Sequence, residues 1–290
     1  MDNIPKICFI IPYRNRKEHK QFFMKYMEFI MEDYKKEDYE IFFVHQCDKQ
    51  PFNRGAMKNI GFLAIKQKYP RHYYDITIVF NDVDTLPYTK NLLNYETKRN
   101  TIKHFYGYNF ALGGIVSITG YDFEKINGYP NMWGWSMEDN MLQKRALTNN
   151  IHIDRSNFFP IGSTSILQFL DAINKVINKR EMADCLENSY PYGLINIKNL
   201  NFNYENEYIQ VTQFETETNP NIQPFENHDI TKGNGNIIVN KNKYRTKSNN
   251  INGNKNNLNN KSTNTSTNKS TNKSTNKSTN NLKLFGNLFR

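Results

Sequence analysis

Apolar and polar residues alternate with two different periods over the first 90 residues of the chain. Short continuous apolar runs, typical of buried strands, are followed by longer stretches whose apolar residues recur at helical spacing. The predicted strands are Ile7 to Ile11, Tyr39 to Val44 and Asp75 to Phe80, and the predicted helices are His19 to Met31 and Asn53 to Tyr69. This order predicts an α/β fold with a parallel sheet, crossover helices and ligand-binding loops at the carboxyl ends of the strands.

The pattern is less regular after residue 100, although further elements are still predicted. The predicted strands are Ile115 to Ile118 and Tyr208 to Phe214, and the predicted helices are Tyr121 to Ile126, Glu138 to Leu147 and Ile166 to Ile177. A loop rich in Gly, Pro and Trp runs from Gly128 to Trp135. These elements are expected to complete the domain that the first 90 residues begin.

The composition changes near Thr218, where the chain becomes rich in Asn, Lys, Ser and Thr. Such a sequence has too little apolar surface to offset the entropy of ordering, which predicts a folded domain over residues 1–217 and a disordered tail over residues 218–290. The net charge of +10 belongs to the tail, because residues 228–290 carry 12 Lys and Arg and one Asp. A basic tail predicts weak contact with nucleic acid or an anionic surface.

Cysteine usage and hydropathy exclude some classes of protein. The three cysteines form no CxxC pair, which argues against a disulfide framework or a structural zinc site. The chain enters its first apolar run without a signal-peptide pattern, and no apolar stretch approaches the length of a membrane span. A soluble, cytoplasmic protein is therefore expected.

Acidic residues follow the third predicted strand in the sequence Asp82-Val83-Asp84. Two carboxylates one residue apart can bind a divalent cation and a sugar or ribose hydroxyl, since oxygen ligands suit Mg²⁺ and Mn²⁺. The alternative is a polar turn that closes the strand.

Basic and aromatic residues follow the first two predicted strands. Arg14 and Arg16 can pair with phosphate, and Phe52 beside Arg54 can stack on a base. The alternatives are a solvated basic loop and an aromatic residue that packs at a helix start.

Aromatic and acidic residues are densest between Trp133 and Asn140. Flat aromatic faces and carboxylates bind sugars, and either Glu138 or Asp139 could act as the base that deprotonates an acceptor hydroxyl. The alternative is a pair of core Trp residues followed by an acidic helix N-terminus.

Several ordered blocks between residue 7 and about residue 147 resemble the β-1,4-galactosyltransferase family. The blocks are Phe9–Arg16, Phe52–Arg54 with Asn59–Phe62, Phe80–Asp84, Gly113–Ser117, and Ile126–Asn131 with Trp133–Trp135 and Glu138-Asp139. The resemblance implies a GT-A fold, which is a Rossmann-like, mostly parallel sheet flanked by helices. It also implies inverting transfer of a hexose or N-acetylhexosamine from a UDP-sugar to a carbohydrate or glycoconjugate hydroxyl, with residues 1–217 as the catalytic domain.

The same resemblance implies roles for individual residues. Asp139 would be the catalytic base, Asp84 would ligate Mn²⁺ or Mg²⁺, Asp82 would lie by the ribose, and Phe52 and Arg54 would lie near the uracil. The residues implied in donor binding are Pro12, Tyr13, Arg14, Arg16, Phe52, Arg54, Asp82, Val83, Asp84, Ala111, Gly114, Trp135 and Glu138.

The chain departs from the family pattern in ways that bear on the metal and the donor. The family completes its metal site with a Met and a His, whereas the nearest stretch here is Ile166–Phe169. Ala111 stands where galactose-specific members carry Tyr, which implies room for an acetamido group. Asn140 replaces a third acid, and Ser136-Met137 replace small residues.

Two other functions remain open from the sequence. An incomplete metal site favours a catalytically silent protein that binds nucleotides or sugars. The basic tail favours a nucleic-acid-binding protein.

Overall fold

The computed structural model describes residues 3–169, 173–187, 190–232, 237–240 and 281–284. The strands are β1 (Ile7–Tyr13), β2 (Tyr39–Gln46), β3 (Thr77–Asn81), β4 (Thr85–Pro87), β5 (Thr101–Gly107), β6 (Ile115–Thr119), β7 (His152–Asp154), β8 (Phe159–Pro160), β9 (Ile166–Gln168), β10 (Asn174–Asn178), β11 (Lys198–Glu205), β12 (Tyr208–Glu215), β13 (Phe225–Asp229), β14 (Ile237–Asn240) and β15 (Asn281–Leu284). The helices are α1 (Lys17–Ile30), α2 (Arg54–Lys68), α3 (Gly120–Lys125), α4 (Glu138–Thr148) and α5 (Lys179–Glu187).

The main sheet has the strand order β11-β12-β2-β1-β3-β6-β5-β7, with β8 paired to β5. Its centre is parallel, because β1 pairs in parallel with both β2 and β3, and β12 pairs in parallel with β2. Strand β6 is antiparallel to β3 and β5. The predicted mostly parallel α/β sheet is therefore confirmed.

The central strand β1 is buried on both faces of the sheet. Successive side chains point to opposite faces, so Cys8 and Ile10 join one hydrophobic cluster while Ile7, Phe9 and Ile11 join the other. Helix α2 packs on the face of Cys8 and Ile10, and α1 packs on the opposite face. The continuous apolar run at the start of the chain therefore produced a strand covered on both sides, as a parallel sheet requires.

The helix predicted from Ile166 to Ile177 is wrong. Its first part is β9, which pairs antiparallel with β4, and its last part is β10, which pairs antiparallel with β13. The partners of both strands lie far away in sequence, so their pairing was invisible to a local hydrophobic pattern.

The described structure continues past the predicted domain boundary at residue 217. Strand β13 pairs along its whole length with β10, and β14 pairs with β15. The rest of the predicted tail lies outside the described residues, so the division into a domain and a disordered tail stays a prediction. Within the described part of the chain, no helix combines the length and apolar character needed to cross a membrane.

Candidate functional site

The neighbouring parallel strands β2, β1 and β3 end at the same edge of the sheet. Arg14, which follows β1, donates to the carbonyl oxygens of Asp48 at 3.3 Å and Gln50 at 2.6 Å in the loop after β2. Its guanidinium lies 5.4 Å from the centre of the Phe52 ring. The loops after β1 and β2 therefore meet, as the strand order predicts, and Arg14 stabilises the loop that carries Phe52.

Helix α2 begins at this edge and places Arg54 among three carboxylates. The Asn53 side chain caps the helix by accepting a hydrogen bond from the backbone N–H of Ala56 at 2.8 Å. The Arg54 guanidinium then donates to Asp82 at 2.8 Å, Glu138 at 3.0 Å and Asp139 at 2.9 Å. These four charged residues form the Arg54 cluster.

The Arg54 cluster joins the end of β3 to the start of α4. The Arg54 side chain is 16% exposed and that of Glu138 is 3% exposed, so the pair between them is largely shielded from water and screened little by salt. The resemblance implies that Arg54 lies beside the uracil, whereas the structure directs its donors to carboxylates. The uracil contact stays a prediction.

A second cation, Lys58, holds Asp139. The Lys58 amine is 3.3 Å from Asp139 and 4.3 Å from the centre of the Tyr129 ring, and the residue is 1% exposed. Burial raises the pKa of the Asp139 carboxyl, but the charges of Arg54 and Lys58 outweigh this effect and leave the pKa below its ordinary value. Asp139 is therefore held as a carboxylate, the protonation state that a general base needs.

The backbone between β5 and β6 approaches Asp139 closely. A Cβ atom at Gly113 would lie 2.5 Å from Asp139 Oδ2, so only glycine fits at this position. His104 Nε2 lies 3.1 Å from the Gly113 carbonyl oxygen, and His104 Nδ1 accepts from Arg155 Nε at 3.0 Å. Burial and the nearby Arg155 charge lower the pKa of His104 to about 4, so a neutral imidazole supports this backbone.

The two tryptophans of the predicted sugar-binding cluster have different surroundings. Trp133 is 2% exposed, stacks on Phe214 at 5.2 Å and donates its indole N–H to Thr216 at 2.9 Å. Trp135 is half-buried, and its backbone N–H donates to the Val176 carbonyl oxygen at 2.6 Å. Trp133 is therefore a core residue, whereas Trp135 is only partly buried.

Glu138 and Ser136 carry buried polar atoms that no described residue satisfies. Within the described residues, Glu138 Oε2 and Ser136 Oγ are buried without a hydrogen-bond partner. Burial raises the pKa of Glu138 despite the opposing charge of Arg54. Because buried polar atoms are normally paired, these two atoms indicate a place where a ligand hydroxyl can bind.

Asp84 lies beyond the Arg54 cluster, and no cation among the described residues forms an ion pair with it. Its carboxylate accepts from the Thr85 hydroxyl at 3.1 Å. Burial and the charge of Asp82 raise the pKa of Asp84, while Arg16 and Lys175 act in the opposite direction. The intervening Val83 is 7% exposed and packs in the core.

The residues around Asp84 fit the implied divalent metal only in part. Asp84 offers carboxylate oxygens, which suit Mn²⁺ or Mg²⁺. Among the residues that the structure describes, no group of three or more His, Cys, Asp or Glu is placed to hold a metal ion. The described chain therefore does not supply a complete set of metal ligands.

The remaining predicted donor-binding residues lie around the same edge of the sheet. Pro12 and Tyr13 are buried in the last positions of β1, and the Tyr13 ring packs on Phe43 at 5.9 Å. Ala111 is 5% exposed and precedes Gly113 in the stretch that reaches Asp139. Gly114 follows with a φ of +68°, and a Cβ there would lie 2.4 Å from the Tyr106 carbonyl oxygen.

The sequence reasoning missed Lys58, His104 and Lys175. Lys58 follows Arg54 by four residues and so lies on the same face of α2, which was a usable signal. His104 and Lys175 reach the site only through the pairing of β5 with β6 and of β10 with β13. No local motif marks either residue.

Two family models match adjacent parts of the chain. The model for the N-terminal region of glycosyl transferase group 7 matches residues 2–96, and the model for the N-terminal domain of galactosyltransferase matches residues 95–167. Together they include every residue assigned above to the predicted site.

Curated relatives match over the same region. β-1,4-Galactosyltransferase 5 of Sus scrofa is 29% identical over 233 residues, which are 72% of this chain and 58% of the relative. β-1,4-Galactosyltransferase 6 of Homo sapiens is 33% identical over 152 residues, which are 49% of this chain and 38% of the relative. The chain thus spans less than two thirds of the length of these relatives.

A solved structure has the same fold. It is the Drosophila β-1,4-galactosyltransferase 7, a mutant in complex with manganese, UDP-Gal and xylobiose. The match has a TM-score of 0.58 and 22% sequence identity, and it covers 75% of this chain and 97% of the other. The predicted GT-A fold is confirmed by this likeness. The two family models, which together match residues 2–167, show that the chain belongs to the β-1,4-galactosyltransferase family.

Proposed function

We propose that the protein is an inverting glycosyltransferase that moves a hexose or N-acetylhexosamine from a UDP-sugar to a hydroxyl of a carbohydrate acceptor. The observation that carries this proposal is the state of Asp139. This carboxylate is held ionised by Arg54 and Lys58 and lies against the backbone of Gly113. A positioned, ionised carboxylate can accept the proton of an acceptor hydroxyl as that oxygen attacks the sugar.

The donor sugar is proposed to lie beside Glu138 and Trp135. The buried Glu138 Oε2 atom has no partner among the described residues and can accept a hydrogen bond from a sugar hydroxyl. The half-buried Trp135 ring offers a flat apolar face next to it. Ala111 stands where galactose-specific members of the family carry Tyr, and its smaller side chain favours an N-acetylhexosamine donor.

A divalent metal belongs to this proposal only as a source of positive charge for the donor diphosphate. Asp84 would be its protein ligand. The incomplete ligand set described above gives no basis for a step that passes through the metal, so the proposed mechanism consists of proton acceptance by Asp139 and of donor binding by the surrounding side chains.

The first test is the Asp139→Asn variant. We expect transfer to fall by about 10²–10⁴-fold, the usual contribution of a general base, while UDP binding changes little. Titration calorimetry with UDP and a sugar-transfer assay measure the two effects. Asp75→Asn is the matched control, because Asp75 is exposed and pairs with Arg99 away from the site.

If the Asp139→Asn variant still transferred the sugar, Asp139 could not be the base. UDP binding without any turnover in the unmodified protein would instead support the silent nucleotide-binding protein, which the incomplete metal ligands favour.

The second test is a screen of donors with the unmodified protein. We expect UDP-N-acetylhexosamines to be used better than UDP-galactose, and Ala111→Tyr to reverse that order. A clear preference of the unmodified protein for UDP-galactose would overturn the assignment of the donor sugar.

The predicted weak contact of the tail with nucleic acid rests on residues mostly outside the described part of the chain and stays a prediction.

A further inference from the structure

Strand β10 lies directly against the loop that carries Trp135. The Trp135 backbone N–H donates to the Val176 carbonyl oxygen at 2.6 Å, and Trp135 and Ile177 form a parallel bridge. Gly134 has a φ of +81°, and a Cβ there would lie 2.6 Å from the same Val176 oxygen. This close fit fixes the position of β10 relative to the proposed donor site.

The fit places Lys175 on the side of the site that contains Asp84. The Lys175 amine lies 6.0 Å from the centre of the Trp135 ring, and the residue is half-buried. Its charge acts on Asp84 and Asp82, and Arg16 adds a second positive charge to the same place. Two cations from distant parts of the chain therefore converge near Asp84.

Lys175 differs from most of the partly buried lysines of the protein. Lys20, Lys66 and Lys179 each pair directly with a carboxylate. Among the described residues, no carboxylate forms an ion pair with the Lys175 amine. Burial lowers the pKa of Lys175, as expected for a partly buried amine without an ion-pair partner among the described residues. A half-buried cation in a proposed ligand site suits a bound anion.

The ligands of the implied metal are incomplete at this same place, since the described residues contain no group of three or more His, Cys, Asp or Glu that could hold an ion. A nucleoside diphosphate brings at least two negative charges, which must be balanced when it leaves water. The chain itself supplies positive charge at this place.

We propose that Lys175 binds the diphosphate of the donor and supplies part of the positive charge that a fully ligated divalent ion would otherwise provide. The inference rests on the proposed function, because it assumes a nucleoside diphosphate in the site. It differs from that function in naming a residue on β10, outside the blocks that mark the family, as a determinant of donor binding.

The test compares UDP and uridine binding by titration calorimetry, with Mn²⁺ and with EDTA. The variants are Lys175→Gln, the conservative Lys175→Arg, and Lys232→Gln as a matched control. Lys232 is 82% exposed and pairs only loosely with Asp229 at 3.5 Å, so its substitution removes the same charge outside the site. Thermal unfolding of each variant monitors the fold.

The unmodified protein is expected to bind UDP in EDTA, and Lys175→Gln is expected to weaken that binding about tenfold or more, as for loss of a charged hydrogen bond. With excess Mn²⁺ the loss should be smaller. Lys175→Arg should retain most of the affinity, and uridine, which has no phosphate, should bind all variants equally.

Several outcomes would overturn the inference. One is that Lys175→Gln binds UDP in EDTA as tightly as the unmodified protein does. Another is that the unmodified protein does not bind UDP in EDTA at all. A third is that Lys175→Gln loses affinity for UDP and for uridine equally, which would indicate a structural role. Failure of the proposed function has a different signature: the unmodified protein would bind neither UDP nor uridine even with Mn²⁺, or it would bind UDP without transferring any sugar.

Discussion

Asp139 and Asp84 lie at the two ends of the site, and their pKa values are shifted in opposite directions. At one end, Asp139 has two cations within ion-pair distance, and its pKa is below the ordinary value. At the other end, Asp84 accepts only a hydroxyl hydrogen bond within the described residues, and burial raises its pKa. The Asp139 end is organised before any ligand binds, whereas neither Asp84 nor Lys175 forms an ion pair among the described residues.

This difference matches the role proposed for each end of the site. A base must be ionised and oriented before the acceptor arrives, and ion pairs within the protein achieve this without a ligand. A diphosphate site must instead leave cations unpaired, because a fully neutralised site has nothing to offer an anion. An aspartate therefore serves as a base at one end and as part of a donor site at the other. The cations next to each aspartate determine which role it has.

Removing the shared cation, Arg54, should destabilise the Asp139 end of the site. Arg54→Met leaves Asp82, Glu138 and Asp139 without their common partner, and we expect the free energy of unfolding to fall by about 3–5 kcal/mol, as for other broken buried ion pairs. Transfer should be lost as well. Urea denaturation measures the stability.

The control for that variant is Arg99→Met, which breaks the exposed pair between Arg99 and Asp75. Its effect should be about 1 kcal/mol or less. Equal losses in the two variants would show that the Arg54 cluster contributes no more than a surface pair.

A third buried acid, Glu181, extends the comparison, because it has hydrogen bonds but no ion pair with a described cation. It accepts from the Trp133 backbone N–H at 3.0 Å and the Thr218 hydroxyl at 2.8 Å, and burial raises its pKa to about 7. Since the folded state binds the proton more tightly than the unfolded state, the resulting stabilisation is complete below pH 4.5 and is lost as the pH rises through about 7.

Glu181→Gln removes this titration. We expect the difference in unfolding free energy between the unmodified protein and the variant to change by about 3 kcal/mol between pH 4 and pH 8, with the variant gaining relative stability at the higher pH. Urea denaturation over that range tests this. A difference that stays constant with pH would contradict a raised pKa.

The contribution of Lys58 to the Asp139 end should appear in the pH dependence of transfer. Lys58→Met removes one of the two cations that lower the pKa of Asp139, so the acid-side fall in kcat/KM should move to higher pH. Lys66→Met on the same helix is the control, because Lys66 pairs with the distant Glu124. An unmoved acid limb in Lys58→Met would exclude electrostatic support by Lys58.

The smallest effect on stability is expected at the Asp84 end. Because burial raises the pKa of Asp84, the ionised carboxylate opposes folding at neutral pH, and that opposition disappears below pH 3.8, where the carboxyl is protonated in both states. Asp84→Asn should therefore be as stable as the unmodified protein or slightly more stable at pH 7, while donor binding weakens. A clear loss of stability at pH 7 would mean that Asp84 is balanced by a cation in the free protein.

Local patterns were sufficient for much of the fold. The apolar runs of β1, β2 and β3 and the helical spacing of α1 and α2 predicted a parallel sheet, and strand order then brought Arg14, Phe52 and Asp82 to one edge. These features depend on residues that are near each other in sequence, so a hydrophobic period reveals them. The segment from Ile166 to Ile177 failed because two long-range strand pairings override its local pattern.

The chemistry of the site was only partly visible in the sequence. Its acids and aromatics were found, because residue type and position after a strand suggest what a side chain can bind. The partners of these residues were not found. The contacts of Arg54 with Glu138 and of Trp135 with β10 join segments that are 40 or more residues apart, and no local pattern reveals them.

The sequence by itself therefore determined the order of the elements and the residues that line the edge of the sheet. Tertiary structure alone decided that Trp133 lies in the core, that Asp139 is held ionised, and that Lys175 lies near the Trp135 ring. The physical reason is that burial and charge pairing depend on which distant segments meet, and these set the pKa of an acid more strongly than its neighbours in sequence do.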